Sequence, residues 1–159
     1  MNGVIQSVQE RPVTLTNNTA PITFTNDDVR SRSASCCGWL CHQEGSPLYQ
    51  LLDGGYYRVS FNTNVSSATA GIVALALYEN GIIVPGTTVA STLAAAGDVE
   101  NVSFDKIIRV CCRGNTTLSV GSVSSVPDFT DLTAPGVDTQ TPIIANSNLI
   151  VERLSWMLT

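Results

Sequence analysis

The sequence predicts an all-β domain, and three features of its 159 residues support that fold class. Polar and apolar side chains alternate over residues 56–65, which is the period of a half-buried strand. Residues 72–78 are apolar at every position, and a strand tolerates this only when other protein covers both of its faces. Asn80 and Gly81 then supply the positive φ angles of a tight hairpin turn. These features favour a scaffold of paired strands with no reactive group among its core positions.

The other strands are predicted, in chain order, where short β-branched or apolar segments lie between clusters of Ser, Thr, Asn and Gly. Residues 99–112 alternate as residues 56–65 do, and Ile108 and Val110 lie on one face. No long window has the apolar stripe of a helix. The ten predicted strands are residues 13–15, 22–25, 48–52, 56–65, 71–78, 82–84, 87–93, 99–112, 116–123 and 148–156. So many short strands in one chain are typical of a sandwich or a barrel.

The domain organisation follows from the length and from the position of the polar segments. The chain is long enough for one self-sufficient core but too short for two domains of ordinary size. Residues 1–20 are polar and precede the compact pattern, so we predict an N-terminal arm there and a single domain over residues 21–159. Residues 124–142 are rich in Pro and Gly and separate two strands, which predicts a long surface loop and a candidate contact element.

The composition favours association with other protein. Charged residues make up only 13% of the chain, against an average of about 25% in soluble domains. A small domain with so few charges is expected to cover part of its surface with partner subunits. The net charge of -5 and the scattered Lys and Arg residues lack the basic patch that nucleic-acid binding requires. We therefore predict an oligomer that does not bind nucleic acid.

The N-terminal residues have no basic start followed by an apolar run, so no secretory signal is predicted. The longest apolar stretch is much shorter than the roughly 18 residues of a membrane span. If Met1 is the initiating residue, we expect the chain to fold in a cytosol, where cysteines usually stay reduced.

The order of several motifs resembles the superfamily of tumour necrosis factor and complement globular heads. The most specific motif is a Gly-x-Tyr-x-Val-x-Phe signature over residues 55–61. The weaker pieces, in order around it, are Pro-Ile-Thr-Phe at 21–24, His-Gln-Glu-Gly-Ser at 42–46, Asn-Val-Ser-Phe at 101–104 and Asn-Leu-Ile-Val-Glu-Arg-Leu at 148–154. Together they span residues 21–156. In wording, the core is most similar to jelly rolls encoded by gut Firmicutes and their phages.

This resemblance implies a ten-stranded jelly-roll sandwich that assembles as a homotrimer without a cofactor and without enzymatic activity. It implies a structural virion protein on the exterior of a phage capsid, either a decoration (cement) protein or a head fibre, assembled in the host cytoplasm. The partners expected on this interpretation are the major capsid protein or another virion protein, with a host-surface glycan as a further candidate. The alternative is a trimeric binding module of a bacterial surface or spore coat that recognises a glycan or a protein.

The jelly-roll resemblance also suggests which side chains form the core and the threefold packing. These are Tyr57, Phe61, Phe104, Leu149, Val151 and Leu154. The arm at residues 1–20 or the loop at 124–142 would then hold the capsid lattice.

The cysteines leave three interpretations open. Cys37, Cys41, His42 and Cys112 are the residues that a structural zinc site would use, although adjacent residues on a strand face opposite ways. A free Cys also behaves as a small buried apolar group, and Cys112 continues the face of Val110. A disulfide between the two clusters is the third interpretation. We predict no metal site, because the sequence has no second close Cys-x2-Cys knuckle. We predict no catalytic site, because the only histidine lacks a second general acid or base.

Overall fold

A computed structural model of the chain describes residues 3–16, 20–31, 38–111 and 114–155. These residues contain strands and no helix, and thus no helix that could cross a membrane. The strands are β1 (Gly3–Gln9), β2 (Val13–Thr14), β3 (Asn26–Arg30), β4 (Leu40–His42), β5 (Tyr49–Leu51), β6 (Gly55–Ser66), β7 (Gly71–Glu79), β8 (Ile82–Ile83), β9 (Val89–Leu93), β10 (Glu100–Val110), β11 (Thr116–Ser122), β12 (Ser125–Val126), β13 (Val137–Asp138) and β14 (Ile143–Ser155).

The strands form two antiparallel sheets and one small hairpin. The first sheet has the order β10-β6-β14-β1-β3, with β2 paired to β14. The second has the order β4-β5-β11-β7-β8, with β9 paired to β7 on the same edge as β8. Strands β12 and β13 form the hairpin. The all-β sandwich predicted from the sequence is confirmed, although the described residues contain fourteen strands rather than ten.

The core lies between the two sheets and is set by the register of three adjacent strands. Phe61 of β6 pairs with Leu149 of β14, and Val59 pairs with Val151, which in turn pairs with Ile5 of β1. All of these side chains are buried. Because side chains alternate along a strand, this register places every residue between them on the outer face of the sheet.

Strand β7 is buried on both faces, as the apolar run at residues 72–78 predicts. Its inward residues Val73, Leu75 and Leu77 belong to the main core. Its outward residues Ala74 and Ala76 form a second apolar cluster with side chains of the loop that follows β11. The loop at 124–142 therefore lies back over the second sheet and supplies the cover that β7 requires.

The prediction of an arm at residues 1–20 is wrong for Gly3–Gln9. These residues form β1, which pairs with β14 on one side and β3 on the other. Its inward positions include Ser7 and Gln9, which are polar, and its outward positions include Val4 and Val8, which are apolar. Because several inward residues are polar and several outward residues are apolar, the sequence does not show the alternation expected of a half-buried strand. The strand is evident only from its pairing with β14 and β3.

Three further segments differ from the prediction. Strands β3 and β4 were not predicted, because Asn and Asp dominate the first and the second has only three residues. Residues 22–25, predicted as a strand, instead cross between the sheets. The amide of Ile22 donates to the carbonyl of Val120 in β11 at 2.7 Å, whereas the amide of Thr25 donates to Val8 in β1 at 3.1 Å.

One end of the core is closed by a buried cation. Arg153 of β14 is 1% exposed, and its Nη2 donates to the carbonyl of Gly54 at 2.9 Å. Its Nη1 lies 3.2 Å from Oδ2 of Asp53, and its guanidinium carbon lies 5.8 Å from the ring centre of Tyr57. The Tyr57 hydroxyl donates to the carbonyl of Asp53 at 2.6 Å. These bonds tie the end of β14 to the turn before β6.

A substitution at Gly121 of β11 tests the close approach of residues 20–22 to this strand. A Cβ atom there would lie 2.9 Å from the carbonyl oxygen of Ala20, a backbone atom that has no freedom to move aside. We expect Gly121→Ala to lower the free energy of unfolding by about 1–3 kcal/mol in urea denaturation. Gly114→Ala is the matched control, because a Cβ there meets nothing within 4 Å. Equal stabilities of the two variants would contradict this account of the crossing.

Candidate functional site

The outer face of the first sheet is a regular surface with exposed side chains such as Ile107 and Tyr56. Paired positions form rows across it, and one row contains Ile107, Arg58, Glu152 and Val4. The outer face of the second sheet differs, because the 124–142 loop lies on β7 there. The chain therefore covers β7 on one face of the sandwich, whereas the other face presents exposed side chains such as Ile107 and Tyr56.

A carboxylate and a guanidinium are paired on this outer face. Nε of Arg58 lies 3.0 Å from both oxygens of Asp105, and Nη2 lies 2.5 Å from Oδ2. The Ser60 hydroxyl donates to the same carboxylate at 3.0 Å. The hydrogen bond from Arg58 holds the pKa of Asp105 below its usual range, and Asp105 raises the pKa of Arg58. Both charges are fixed in orientation, which lowers the entropy lost if another surface covers them.

Amide groups and apolar groups occupy the rest of the face. Nδ2 of Asn101 donates to Oδ1 of Asn64 at 3.1 Å, and Nδ2 of Asn62 donates to Oδ1 of Asn101 at 3.1 Å. Ile107 is 59% exposed, and Tyr56 is also exposed. Exposed aromatic and aliphatic side chains among internally bonded polar groups are typical of a surface that associates with other protein.

A second polar cluster lies inside the protein, where β1, β3 and β4 approach each other. Nδ1 of His42 lies 2.8 Å from Oδ1 of Asp27, and Nε2 lies 3.0 Å from the carbonyl oxygen of Ser46. The imidazole is stacked on the ring of Tyr49 with their centres 3.9 Å apart. Ser7 and Arg30 also donate to Asp27. The inward serine of β1 therefore has a partner in β3, which explains how a polar residue occupies that position.

The electrostatics of this cluster favour an ionised Asp27. Burial of the carboxyl opposes ionisation, but hydrogen bonds from Ser7 and Arg30 and the proximity of His42 together lower the pKa of Asp27. Both ring nitrogens of His42 face oxygen acceptors, so both contacts are hydrogen bonds when both nitrogens carry hydrogen. Ser7 donates to the carboxylate and not to the imidazole, which is unlike a nucleophile paired with its base. The geometry is that of a structural network joining three strands.

The residues named for a zinc site differ in how the structure describes them. Cys37 and Cys112 lie outside the described residues, whereas Cys41 is disulfide-bonded and Cys111 is an exposed free thiol. His42 is buried, with its two nitrogens bonded to Asp27 and Ser46. Across the described ranges, no three His, Cys, Asp or Glu side chains are placed to hold a metal ion. Cys41 therefore takes part in a disulfide, and a pairing between the two cysteine clusters stays a prediction.

The side chains named for core and threefold packing do not all share one environment. Five of them are buried within their own chain, and these are Tyr57, Phe61, Phe104, Leu149 and Val151. Leu154 is half-buried and lies where the register between β14 and β6 shifts. A side chain already buried in its own core has little area left to offer another subunit.

The side chains at the tip of the 124–142 loop were not predicted as functional residues. Phe129 is 87% exposed and Leu132 is 85% exposed. The sequence does contain a signal for them, because Asp-Phe-Thr at 128–130 is followed at once by Asp-Leu-Thr at 131–133. The Asp27 and His42 pair was also missed, since neither β3 nor β4 was predicted.

Solved structures share this fold across nearly the whole chain. The globular domain of zebrafish complement 1qA superimposes with a TM-score of 0.63 at 9% identity, covering 98% of each chain. Murine APRIL at pH 8.5 has a TM-score of 0.60 at 10% identity, covering 97% of this chain and 100% of that one. Eiger TNF from S. frugiperda has a TM-score of 0.57 at 8% identity, covering 100% of this chain and 95% of that one.

The fold is thus the jelly roll of tumour necrosis factor and complement globular heads, as the sequence motifs indicate. At 8–10% identity the similarity establishes the fold alone. No protein-family model matches the chain, and no curated protein sequence matches it.

Asp27→Asn tests the internal polar cluster. The pKa of Asp27 is lowered by folding, so its contribution to stability is present above its unfolded pKa and is lost as the pH falls through its folded pKa. We expect the variant to be less stable than the wild type at pH 6 by about 1–3 kcal/mol in urea denaturation. This difference should shrink at pH 3, below the ordinary aspartate pKa of about 3.9, because the carboxyl of the unfolded wild-type chain takes up a proton there before the folded one does.

Asp28→Asn is the matched control for net charge, because Asp28 is the exposed neighbour on the same strand. A wild-type protein whose advantage over Asp27→Asn is the same at pH 6 and at pH 3 would argue against a stabilising ionised Asp27.

Proposed function

We propose that this chain is a homotrimeric structural module without enzymatic activity, and that it decorates the exterior of a phage capsid as a cement or head-fibre protein. The observation that carries the first part is the asymmetry of the sandwich. The loop covers β7 in the second sheet, whereas the outer face of the first sheet presents Ile107, Tyr56 and fixed polar groups. A surface of this composition is suited to contact with copies of the same chain.

The polar residues support a role in association rather than in catalysis. The side chain of His42 is buried and bonded to Asp27 and Ser46, and Arg153 is buried against Asp53 and Gly54. Both groups join strands to each other. Arg58 and Asp105 on the outer face neutralise each other. None of these arrangements leaves a base beside an accessible nucleophile.

Attachment to a capsid would use two surfaces with different tasks. The outer face of the first sheet would hold three chains together, and the 124–142 loop of each chain would contact the lattice. Three equivalent contacts on a rigid trimer multiply weak single contacts, because the second and third are made at high effective concentration. The capsid and host-cytoplasm assignments rest on the resemblance of the core to phage-encoded jelly rolls.

A second candidate function is supported by a different observation. Cys41 is disulfide-bonded, and disulfides persist mainly in oxidising surroundings. This favours an exported module of a bacterial surface or spore coat that binds a glycan or a protein. Immunodetection separates the two candidates: the capsid protein is expected in purified virions, and the surface module is expected on the envelope or coat of uninfected cells.

Ile107→Glu tests the trimer. A carboxylate at this exposed position on the first sheet would be brought close to its symmetry mates, or be buried without a partner, on association. We expect sedimentation equilibrium to give the mass of three chains for the wild type and of one chain for the variant. Leu48→Glu, an exposed position between β4 and β5 of the second sheet, should remain trimeric. A wild-type protein that sediments as a stable monomer would overturn the proposed assembly.

Capsid decoration is tested with capsids from particles that lack this gene product. Purified trimer is expected to co-sediment with these capsids and to saturate at a fixed ratio to the major capsid protein. The Ile107→Glu monomer should bind more weakly, because it loses the benefit of three linked contacts. Failure of the wild-type trimer to bind any maturation state of the capsid would contradict the proposal.

A further inference from the structure

The tip of the 124–142 loop presents two large apolar side chains to solvent. Phe129 is 87% exposed and Leu132 is 85% exposed, and both are more exposed than every other large apolar side chain in the described residues. They lie three positions apart and flank Thr130 and Asp131. Leaving both in water gains nothing for the fold, whereas burying them against another surface releases ordered water.

The two side chains are displayed by a tandem motif. In the first copy, Oδ1 of Asp128 accepts from the amide of Thr130 at 2.8 Å and from its hydroxyl at 2.6 Å. In the second copy, Oδ1 of Asp131 accepts from the amide of Thr133 at 3.0 Å and from its hydroxyl at 2.7 Å. Each aspartate therefore closes a turn around the apolar residue that follows it, and that residue projects outward.

The base of the loop is fixed to the body of the sandwich. The amide of Gln140 donates to the carbonyl of Ile72 in β7 at 2.7 Å, and the amide of Thr139 donates to Ser124 at 3.1 Å. Val126 packs in the outer apolar cluster on β7. The tip thus projects from an anchored hairpin, so docking would require little further ordering of the chain.

The charge of the loop indicates what kind of surface it fits. Residues 124–142 contain Asp128, Asp131 and Asp138 and no Lys or Arg. The hydroxyl and amide of Thr130 hold the pKa of Asp128 below its usual range, and those of Thr133 do the same for Asp131. Two apolar side chains among fixed negative charges complement an apolar pocket with a positive rim.

We propose that this tip is a docking element that inserts Phe129 and Leu132 into an apolar pocket rimmed by Arg or Lys side chains on a partner protein. The inference deepens the proposed function, on which it rests, by naming the residues that contact the larger assembly and the chemistry they require. A protein pocket is favoured over a lipid surface, because carboxylates adjoin both apolar side chains and the chain carries a net charge of -5. An anionic membrane would repel this tip.

The test uses a displayed random-peptide library selected against the wild-type protein, followed by titration of the synthetic selected peptides. We expect the peptides to combine apolar residues with Arg or Lys. The double variant Phe129→Ala, Leu132→Ala should bind them about tenfold more weakly or worse. Thr130→Val with Thr133→Val keeps the apolar pair and the charges but removes both hydroxyl bonds, and it should bind several-fold more weakly than wild type.

Ile82→Ala is the matched control, since Ile82 is 74% exposed on β8 and lies outside the loop. It should bind the peptides as the wild type does. Peptides that bind the double variant equally well, or a selection that yields no binder, would overturn the proposal. Loop-dependent binding to phosphatidylcholine or phosphatidylserine vesicles would show that the tip docks on a lipid surface, and would contradict the proposed protein pocket.

The outcome is separable from that of the proposed function. Both substituted side chains are exposed, so the double variant should sediment as the wild type does. If the wild-type protein is a monomer, the proposed trimer is contradicted, but the peptide titrations can still be carried out. If the trimer binds capsids equally well with and without Phe129 and Leu132, the proposed function is supported and the proposed docking element is contradicted.

Discussion

The register between β6 and β14 is the constraint on which the other features depend. Strand β14 comes last in the described chain, yet it lies in the middle of the first sheet, between β6 and β1. Phe61 opposite Leu149 and Val59 opposite Val151 fill the core from adjacent strands. A slip of β14 by one residue would turn Leu149 and Val151 outward and bring Glu152 into the core. The same register that forms the core therefore also defines the outer face.

The second sheet obeys a different constraint, which leads to the loop. Because residues 72–78 of β7 are all apolar, its outer face needs a cover, and the chain between β11 and β14 provides one. The cover uses Val123 and Val126 at the base of the loop, and its β12–β13 hairpin holds the tip away from the sheet. The loop thus has one part that stabilises the fold and another, containing Phe129 and Leu132, that makes no contribution to the core.

The sequence predicted the elements in which inward positions are apolar. Strands β6, β7 and β10 follow from alternation or from a continuous apolar run, and their burial matches that pattern. It did not predict β1 and β3, because their contact depends on Ser7 and Asp27, whose polarity is compatible with burial only once each has bonded the other. Local patterns carry no information about such partners, which lie far apart in the chain. The fold class was therefore predictable, whereas the internal polar network was not.

The function must be located in features that the fold does not require. Structures at 8–10% identity have the same arrangement of strands, so very different side chains are compatible with this sandwich. The Asp53, Tyr57 and Arg153 network and the core register account for stability and leave partner choice open. Phe129 and Leu132, by contrast, are displayed by a motif that the core does not need. On the proposed trimer the tip would be displayed three times, and even weak docking at each tip would add up to durable attachment, because the linked contacts rarely all release at once.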